Sequence, residues 1–231
     1  MIAVLVLWDI DHTLIETRGV GSQIYAEAFQ EVTGHRLEKL PQLAGRTEPV
    51  IFREALEIHG LSDSDGLYAQ FAAAQAHGYE KHKADMAHTG RALPGAADAL
   101  RALRSRDDTV QSVLTGNTKA ASALKLQAFD LDQYLRLDLG AYGTDADDRP
   151  ALVGIARQRA EKALGVSFSP ENTILIGDTP NDVKAAQEGN ARIIAVATGN
   201  DSASDLTSAG ADTVLEDLSD TNALLSSIYR K

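Results

Sequence analysis

The chain has 231 residues, of which 44% are hydrophobic and 24% are charged, the composition of an ordinary globular protein rather than a disordered or membrane-spanning one. This length accommodates one large domain, or a medium domain with a small insertion. A formal net charge of −11 argues against nucleic-acid binding, and the lack of cysteine excludes disulfides, thiolate metal sites and cysteine nucleophiles.

The amino terminus carries no pattern of a targeting segment. Its apolar start, MIAVLVLW, has no basic leader and is cut short by Asp9, which is unlike a secretory signal. No apolar run in the sequence approaches the length that crosses a membrane. We therefore expect a cytoplasmic protein without a membrane partner.

The first predicted element is a buried strand. Residues 3–8 are apolar and rich in Val and Leu, too few for an ordinary helix and typical of a strand covered on both faces. Asp9, Asp11 and Thr13 follow it directly. Because open α/β sheets bind ligands at the carboxyl ends of their strands, these side chains predict a site. A plain polar turn is the alternative, since Asp and Thr are ordinary turn residues.

A block with helical periodicity follows, from Gly21 to about Ala87. We predict a first helix that ends at Gly34, a second over 49–59, and a third over 64–87 that is interrupted or bent near Gly78.

Beyond Leu93, strands and helices alternate. Strands are predicted at 110–115, 134–139, 173–177, 192–197 and 213–215, and helices after Gly95 and at 118–128, 151–164, 180–188, 204–208 and 220–229. This alternation predicts right-handed crossovers and a parallel sheet.

The expected fold is therefore α/β, a Rossmann-like parallel sheet core with an inserted small α-helical cap domain. The core comprises residues 1–16 and 92–231, and the cap residues 17–91. Because the insertion follows the strand that ends at Asp9, the cap should lie over the predicted site. Glycines at both crossings suit a hinge.

Four polar segments follow apolar strands in a fixed order. They are Asp9–Thr13 (DIDHT), Leu114–Asn117 (LTGN), Asp147–Pro150 (DDRP) and Ile176–Asp182 (IGDTPND). With these motifs the chain resembles the hydrolases of the haloacid dehalogenase superfamily, in the branch of phosphoglycolate phosphatases and β-phosphoglucomutase-like sugar-phosphate mutases with a helical cap. The resemblance covers nearly the whole chain, and the ordered set is far more specific than one Asp-x-Asp-x-Thr.

The resemblance implies a Mg²⁺-dependent phosphatase, and the chemistry of the residues agrees. Hydrolysis of a phosphate monoester needs a nucleophile in line with the leaving group, and Asp9 can supply it by forming an aspartyl phosphate. Two unit charges of the same sign about 4 Å apart repel by roughly 4 kcal/mol at an effective dielectric near 20, so a cation must offset them. Asp9, Asp178 and the backbone carbonyl of Asp11 supply hard oxygen ligands, which favour Mg²⁺.

Asp11 and the LTGN segment are assigned to the substrate. Asp11 would donate a proton to the leaving alkoxide and later take one from water. It points away from Asp9 in a regular strand, so the turn must be loosened, as it is in the family. Thr115, with the amides of Gly116 and Asn117, would hold the phosphoryl oxygens, although a simple helix start explains this segment equally well.

Asp178 and Asp182 stand four residues apart around Pro180, and a helix that begins there brings both carboxylates to one side. We expect Asp178 to bind the metal and Asp182 to act through water or by orienting a neighbour. Helix capping is the alternative role for Asp182.

Two positions depart from the family's pattern. Its third motif usually offers a lysine, commonly followed by proline, whereas this chain has Arg149 before Pro150. The planar guanidinium of arginine can bind phosphate through two nitrogen atoms, but it is wider than the compact ammonium group of lysine. Lys125, on the helix after Asn117, is the alternative, and we favour Arg149. Where relatives usually have glycine this chain has His12, which we interpret as filling the turn rather than meeting substrate.

One loop of the cap carries a candidate specificity residue. Gly45-Arg46-Thr47 is similar to the loop that bears a substrate-facing arginine in related capped enzymes, so Arg46 is that candidate. An ordinary surface arginine is the alternative.

These residues predict an enzyme that hydrolyses a small phosphorylated metabolite with Mg²⁺ under a mobile cap. A dehalogenase on this fold would not need a proton donor at Asp11, which argues against that reaction. A sugar phosphomutase keeps every core residue and stays open, as does a catalytically weak binding protein, because the lysine motif is altered. The motifs do not specify the substrate or the oligomeric state.

Overall fold

A computed structural model describes residues 4–64 and 66–230 of the chain. The strands are β1 (Val4–Trp8), β2 (Ile15–Glu16), β3 (Arg91–Ala92), β4 (Thr109–Val113), β5 (Thr173–Gly177), β6 (Arg192–Val196) and β7 (Val214–Leu215). The helices are α1 (Val20–Thr33), α2 (Glu48–Ile58), α3 (Leu67–Lys81), α4 (Lys83–Thr89), α5 (Ala96–Arg104), α6 (Lys119–Gln127), α7 (Arg149–Leu164), α8 (Pro180–Glu188), α9 (Ala203–Ser208) and α10 (Thr221–Ile228). Ala3 and Asp65, which fall within a predicted strand and a predicted helix, lie outside the described residues.

A parallel sheet in the order β4-β1-β5-β6-β7 forms the centre of the fold. In the middle of the sheet Trp8 of β1 stands opposite Val113 of β4 and Ile176 of β5. All five residues of β1 are buried, because both faces of the strand are covered. The predicted α/β fold with a parallel sheet is confirmed.

The alternation of side chains along β1 divides the core into two layers. Val6 and Trp8 pack in the layer that holds apolar residues of α5 and α10. Leu5 and Leu7 pack in the other layer, with residues of α7 and α8. Helices therefore cover both faces of the sheet, as a parallel sheet requires.

The helices α1 to α4 lie between β2 and β3, within the stretch predicted as a cap, and we call residues 17–91 the cap segment. β2 and β3 pair antiparallel, with Ile15 opposite Ala92, so the two crossings into the segment run side by side. An aromatic cluster that includes Phe29, Phe52 and Phe71 fills its interior. The division into two domains stays a prediction.

The third predicted helix is interrupted, as expected, but four residues later than Gly78. The helix breaks at His82, where α3 ends and α4 begins, so the segment contains four helices rather than three among the described residues. Gly78 lies inside α3, where its missing side chain lets α1 approach: a Cβ there would lie 2.6 Å from Cγ2 of Ile24. Glycine at this position reflects close packing, not a bend.

The predicted strand at 134–139 is wrong. The amide of Arg136 donates to the carbonyl of Gln111, and that of Ala141 donates to Val113, so the segment meets the edge of β4 at both ends. Between them the amide of Leu139 donates to the carbonyl of Arg136, which closes a turn and breaks the ladder. Leu135 and Leu139 are buried, and Tyr134 and Leu137 partly buried, in a loop that covers the sheet edge.

The other predicted strands and helices are found within two residues at their ends. Among the described helices, none has the length and apolarity needed to cross a bilayer.

Candidate active site

The predicted site residues meet at one edge of the sheet. Asp9 follows β1, Thr115 follows β4 and Asp178 follows β5, and these three strands are neighbours in the sheet. A cavity of about 520 Å³ lies at this edge, between the sheet and the cap segment, and all three residues line it. Parallel strands bring their carboxyl ends together, and this places residues far apart in sequence around one space.

The turn after β1 leaves strand geometry at His12. This residue has a left-handed backbone with φ of +60°, the conformation that glycine adopts without strain. The carbonyl of Ile10 accepts hydrogen bonds from the amides of Leu14 and Ile15, and the amide of His12 donates to Ile15, so the chain reverses tightly. The expected loosened turn is therefore present, and a histidine rather than a glycine adopts its left-handed conformation.

Arg149 joins two carboxylates below the cavity. Its Nη2 lies 2.9 Å from Oδ1 of Asp9 and 2.7 Å from Oδ1 of Asp182. The other oxygen of Asp182 accepts hydrogen bonds from the backbone amide and hydroxyl of Thr179, in a capping box at the start of α8. Asp182 thus contributes to the cap of α8 and also contacts Arg149. The sequence presented helix capping and the orientation of a neighbour as alternative roles.

An acidic cluster at this place fits a divalent cation. Oxygen atoms of Asp9, Asp178 and Asp182 lie within 4.8 Å of one another, and all three residues are buried. Burial, opposed by Arg149 and reinforced by the neighbouring carboxylates, raises the pKa of Asp9 to about 7. Burial together with Asp9 and Asp182 raises the pKa of Asp178 to about 9. The raised pKa values reflect three carboxyl groups crowded around one guanidinium, and hard oxygen donors in such a cluster suit Mg²⁺.

Asp11 lies in a second cluster, with Lys125. The Nζ of Lys125 is 2.7 Å from Oδ2 of Asp11 and also donates to Oδ1 of Asn117, whose amide nitrogen donates to Asp11. Burial favours a higher pKa for Asp11, but the charge and hydrogen bond of Lys125 outweigh it and the pKa is lowered. In this arrangement Asp11 is held in its ionised form, and both of its oxygens accept hydrogen bonds.

The predicted phosphate-binding segment lies against the cap segment. Thr115 is buried, and its hydroxyl oxygen accepts a hydrogen bond from the side chain of Asn117. The carbonyl of Gly116 accepts a hydrogen bond of 2.8 Å from the amide of Glu48. A Cβ on Gly116 would lie 1.9 Å from the carbonyl oxygen of Arg46, so only glycine allows this approach.

The charge of Arg46 is engaged within the cap segment. Its guanidinium pairs with Glu54 and donates to the carbonyl of Gln42, although the residue does line the cavity. Both contacts use Nη1, and the specificity role of Arg46 stays a prediction.

Two buried polar residues of the cap segment were not predicted. Glu48 is 6% exposed, Gln75 is 2% exposed, and the Gln75 amide donates to the Glu48 carboxylate. Sequence gives a weak signal for each. A glutamate at the first position of a helix is ordinary, and only the position of Gln75 one turn after Phe71, on the apolar face of α3, is unusual.

The chain matches the family described as haloacid dehalogenase-like hydrolase over residues 6–196. It is 26% identical over 202 residues to phosphoglycolate phosphatase 1 of Pseudomonas aeruginosa, covering 84% of this chain and 70% of that protein. The structure is similar to that of a hydrolase from Pseudomonas syringae, with 21% identity and a TM-score of 0.69 over 97% of this chain and 99% of the other. It is similar to the same extent, TM-score 0.69, to a predicted phosphoglycolate phosphatase from Haemophilus somnus, with 17% identity and coverages of 97% and 99%.

The chain therefore belongs to the haloacid dehalogenase-like hydrolase family. It is an enzyme of that family, and its relatives include a phosphoglycolate phosphatase. The predicted family, fold class and enzyme class are confirmed.

Proposed function

We propose that this protein is a Mg²⁺-dependent phosphatase that hydrolyses a small phosphate monoester through an aspartyl phosphate on Asp9. The observation that carries the proposal is the place of Asp9, buried at the end of the central strand, beside Arg149 and lining the cavity. Arg149 holds Oδ1 and leaves Oδ2 free to attack phosphorus. The partner is then a small phosphorylated metabolite.

Attack by Asp9 forms the bond to phosphorus and breaks the bond to the leaving oxygen, which must take a proton. To donate that proton Asp11 has to leave Lys125 and become protonated, because the ion pair favours its ionised form. The ion pair suits the second step, in which Asp11 takes a proton from the water that attacks the aspartyl phosphate. The hydroxyl of Thr115 and the amides of Gly116 and Asn117 would bind the phosphoryl oxygens.

Asp9 and Asp178, with the backbone carbonyl of Asp11, are the residues that would hold Mg²⁺. When bound, Mg²⁺ supplies positive charge that offsets the repulsion between a carboxylate and a phosphate. Asp182 would act by positioning Arg149, since both of its oxygens already have partners.

Of the two cations considered, Arg149 is the one beside the nucleophile. We assign it the role of the family's lysine, because its guanidinium contacts Asp9. Lys125 contacts Asp11 and Asn117 instead, and its proposed role is to set the position and protonation of Asp11.

We also propose that residues 17–91 act as a cap domain that opens and closes over the core, residues 1–16 and 92–231. Contacts that join the cap segment to the core beside the cavity include Glu48 amide to Gly116 carbonyl at 2.8 Å, Thr47 hydroxyl to Asp147 carbonyl at 3.0 Å, and Asn181 side chain to Ala44 carbonyl at 2.9 Å. Closure of this kind excludes water from the reacting groups. The paired crossings β2 and β3 are the proposed hinge.

The test is phosphate release from p-nitrophenyl phosphate and from a panel of phosphorylated metabolites, with Mg²⁺ and with EDTA. We expect release that requires Mg²⁺ and is abolished in Asp9→Asn. The matched control is Asp212→Asn, an exposed carboxylate just before β7 and therefore at the opposite edge of the sheet, which should retain activity. Release from no ester would refute the proposal. A phosphoryl group that moves within a sugar instead of appearing in solution would indicate the mutase.

A further inference from the structure

The wall of the cavity formed by the cap segment carries polar groups that phosphoryl transfer does not use. Tyr25, Glu48 and Gln75 line this wall and are 5%, 6% and 2% exposed. Among the described residues, Tyr25 Oη and Gln75 Oε1 are buried atoms without a hydrogen-bond partner. Buried polar atoms are nearly always paired, and because these two residues line the cavity, a molecule bound in it is expected to supply their partners.

These groups are held by the packing of three helices. The ring of Tyr25 on α1 packs edge-on against Phe71 at 4.8 Å between centroids, and Gln75 stands one turn further along α3. Glu48 begins α2 and accepts the hydrogen bond from Gln75. Three rigid elements fix the three side chains, and this is the precision that a binding site needs.

The position of Glu48 links this wall to the phosphoryl site. Its backbone amide donates to the carbonyl of Gly116, the residue whose own amide is proposed to hold the phosphoryl group. An ester whose phosphoryl group lies at Gly116 would therefore have Glu48 within reach of its alcohol part. A cavity of about 520 Å³ has room for an alcohol part of several atoms.

The charges around the wall are those of hydrogen-bond acceptors. Glu48 offers a carboxylate and Gln75 offers a carbonyl oxygen. Every arginine and lysine among the described residues of the cavity lining is already paired: Arg46 with Glu54, Lys125 with Asp11, and Arg149 with Asp9 and Asp182. A second anionic group on the substrate would therefore face hydrogen-bond acceptors. Among the described residues of the lining, no arginine or lysine is unpaired and available to neutralise it.

We propose that Tyr25, Glu48 and Gln75 form a leaving-group subsite, which selects phosphate monoesters whose alcohol part carries hydrogen-bond donors, hydroxyl or ammonium, and rejects those whose alcohol part is a second anion. This inference rests on the proposed phosphatase function. It separates the chain from the relative named for phosphoglycolate, whose alcohol part carries a carboxylate. Sites with buried hydrogen-bonding groups discriminate strongly, because a ligand without the matching group leaves them unpaired.

The first experiment compares kcat/KM for four probes: glycerol 1-phosphate with hydroxyl donors, ethanolamine phosphate with an ammonium donor, 2-phosphoglycolate with an anion, and p-nitrophenyl phosphate as the reference. We expect at least one of the two donor-bearing esters to exceed 2-phosphoglycolate by tenfold or more. The hydroxyl and ammonium arms tell which donor the subsite takes. A preference for 2-phosphoglycolate would overturn the inference.

Variants then assign the selectivity to the subsite. Glu48→Gln removes the carboxylate charge and keeps the shape of the side chain. It should lower the ratio of kcat/KM for the preferred donor-bearing ester to that for 2-phosphoglycolate by fivefold or more. Tyr25→Phe removes one hydroxyl, and should lower the ratio of kcat/KM for the preferred ester to that for p-nitrophenyl phosphate by about fivefold. The control is Tyr68→Phe: its hydroxyl is also buried without a partner among the described residues, but Tyr68 is not part of the cavity lining, so the ratio should not change.

Binding separates the two proposals. Dissociation constants of the same esters are measured by calorimetry on the Asp9→Asn variant, in which turnover is expected to be absent. If the wild type hydrolyses nothing but this variant binds glycerol 1-phosphate or ethanolamine phosphate more tightly than 2-phosphoglycolate, the phosphatase proposal fails and the subsite stands. Hydrolysis without discrimination, unchanged by Glu48→Gln, would refute the subsite alone.

Discussion

Replacing Asp178 by asparagine should stabilise the metal-free protein. The oxygens of Asp178, Asp9 and Asp182 lie within 4.8 Å of one another, and Arg149 contacts Asp9 and Asp182 but makes no recorded contact with Asp178. Among the described residues, the side chain of Asp178 accepts one hydrogen bond, from the hydroxyl of Thr13 to Oδ1 at 3.0 Å. An asparagine keeps an oxygen that accepts this hydrogen bond and removes the negative charge.

Two estimates give the size of this gain in the free energy of unfolding. Like charges 4.8 Å apart repel by roughly 3 kcal/mol at an effective dielectric near 20. The pKa of Asp178 is raised from 3.8 to about 9, so at pH 7 its ionisation in the unfolded chain costs the fold up to about 4 kcal/mol. We expect a gain of about 2 to 4 kcal/mol at pH 7, which corresponds to roughly 4 to 16 °C for a chain of this size.

The pH dependence of stability tests separately whether Asp178→Asn stabilises the fold. A carboxyl with a raised pKa in the folded state costs little below pH 4, and the cost grows as the pH rises through 7 towards 9. Thermal unfolding of the two proteins without metal should therefore converge near pH 4 and diverge up to pH 9. Adding Mg²⁺ should stabilise the wild type more than Asp178→Asn, because only the wild type keeps both proposed carboxylate ligands.

Asp182→Asn is the matched control, with the opposite sign. Asp182 is fully buried and bonded to Arg149 and Thr179, so its loss should destabilise the fold by about 3 kcal/mol. If Asp178→Asn is less stable than the wild type without metal at pH 8, the electrostatic reasoning about the acidic cluster is wrong.

Three further outcomes are expected. Arg149→Ala should lower kcat at least 100-fold and more than Lys125→Ala does, measured as phosphate release; the reverse order would assign the wrong cation to Asp9. Lys125→Met should raise the pKa of Asp11 and move the acidic limb of the rate profile to higher pH, and an unmoved limb would contradict Asp11 as the base. Gly78→Ala should cost about 1 to 3 kcal/mol in chemical denaturation, because its Cβ would meet Ile24, whereas an unchanged stability would show that the two helices can separate freely.

The arrangement of the strand ends followed from the sequence. Asp9, Thr115 and Asp178 each stand just after a short apolar run, and the topology of a parallel sheet brings such positions to one edge without knowledge of side-chain geometry. The contacts of the two cations did not follow. Arg149 and Lys125 are both far from Asp9 and Asp11 in sequence, and only packing decides which cation meets which carboxylate.

The misplaced elements have local causes. The apolar residues of 134–139 satisfied a strand pattern, but the turn closed by Leu139 and Arg136 uses them to cover the edge of β4. Glycine is a residue type that often interrupts helices, but Gly78 lies inside α3 and allows close packing against Ile24. Glu48 and Gln75 escaped notice because burial of a polar side chain depends on neighbours that periodicity does not identify.

The contact between the cap segment and Gly116 is made by main-chain atoms: the amide of Glu48, the carbonyl of Arg46 and the bare Cα of Gly116. Mutations that change the side chains of residues 46 and 48 leave those atoms in place. Side chains at these two positions, which line the cavity, can therefore vary during evolution while the main-chain contact with Gly116 persists, so single replacements can change the cavity wall without changing how the two segments pack.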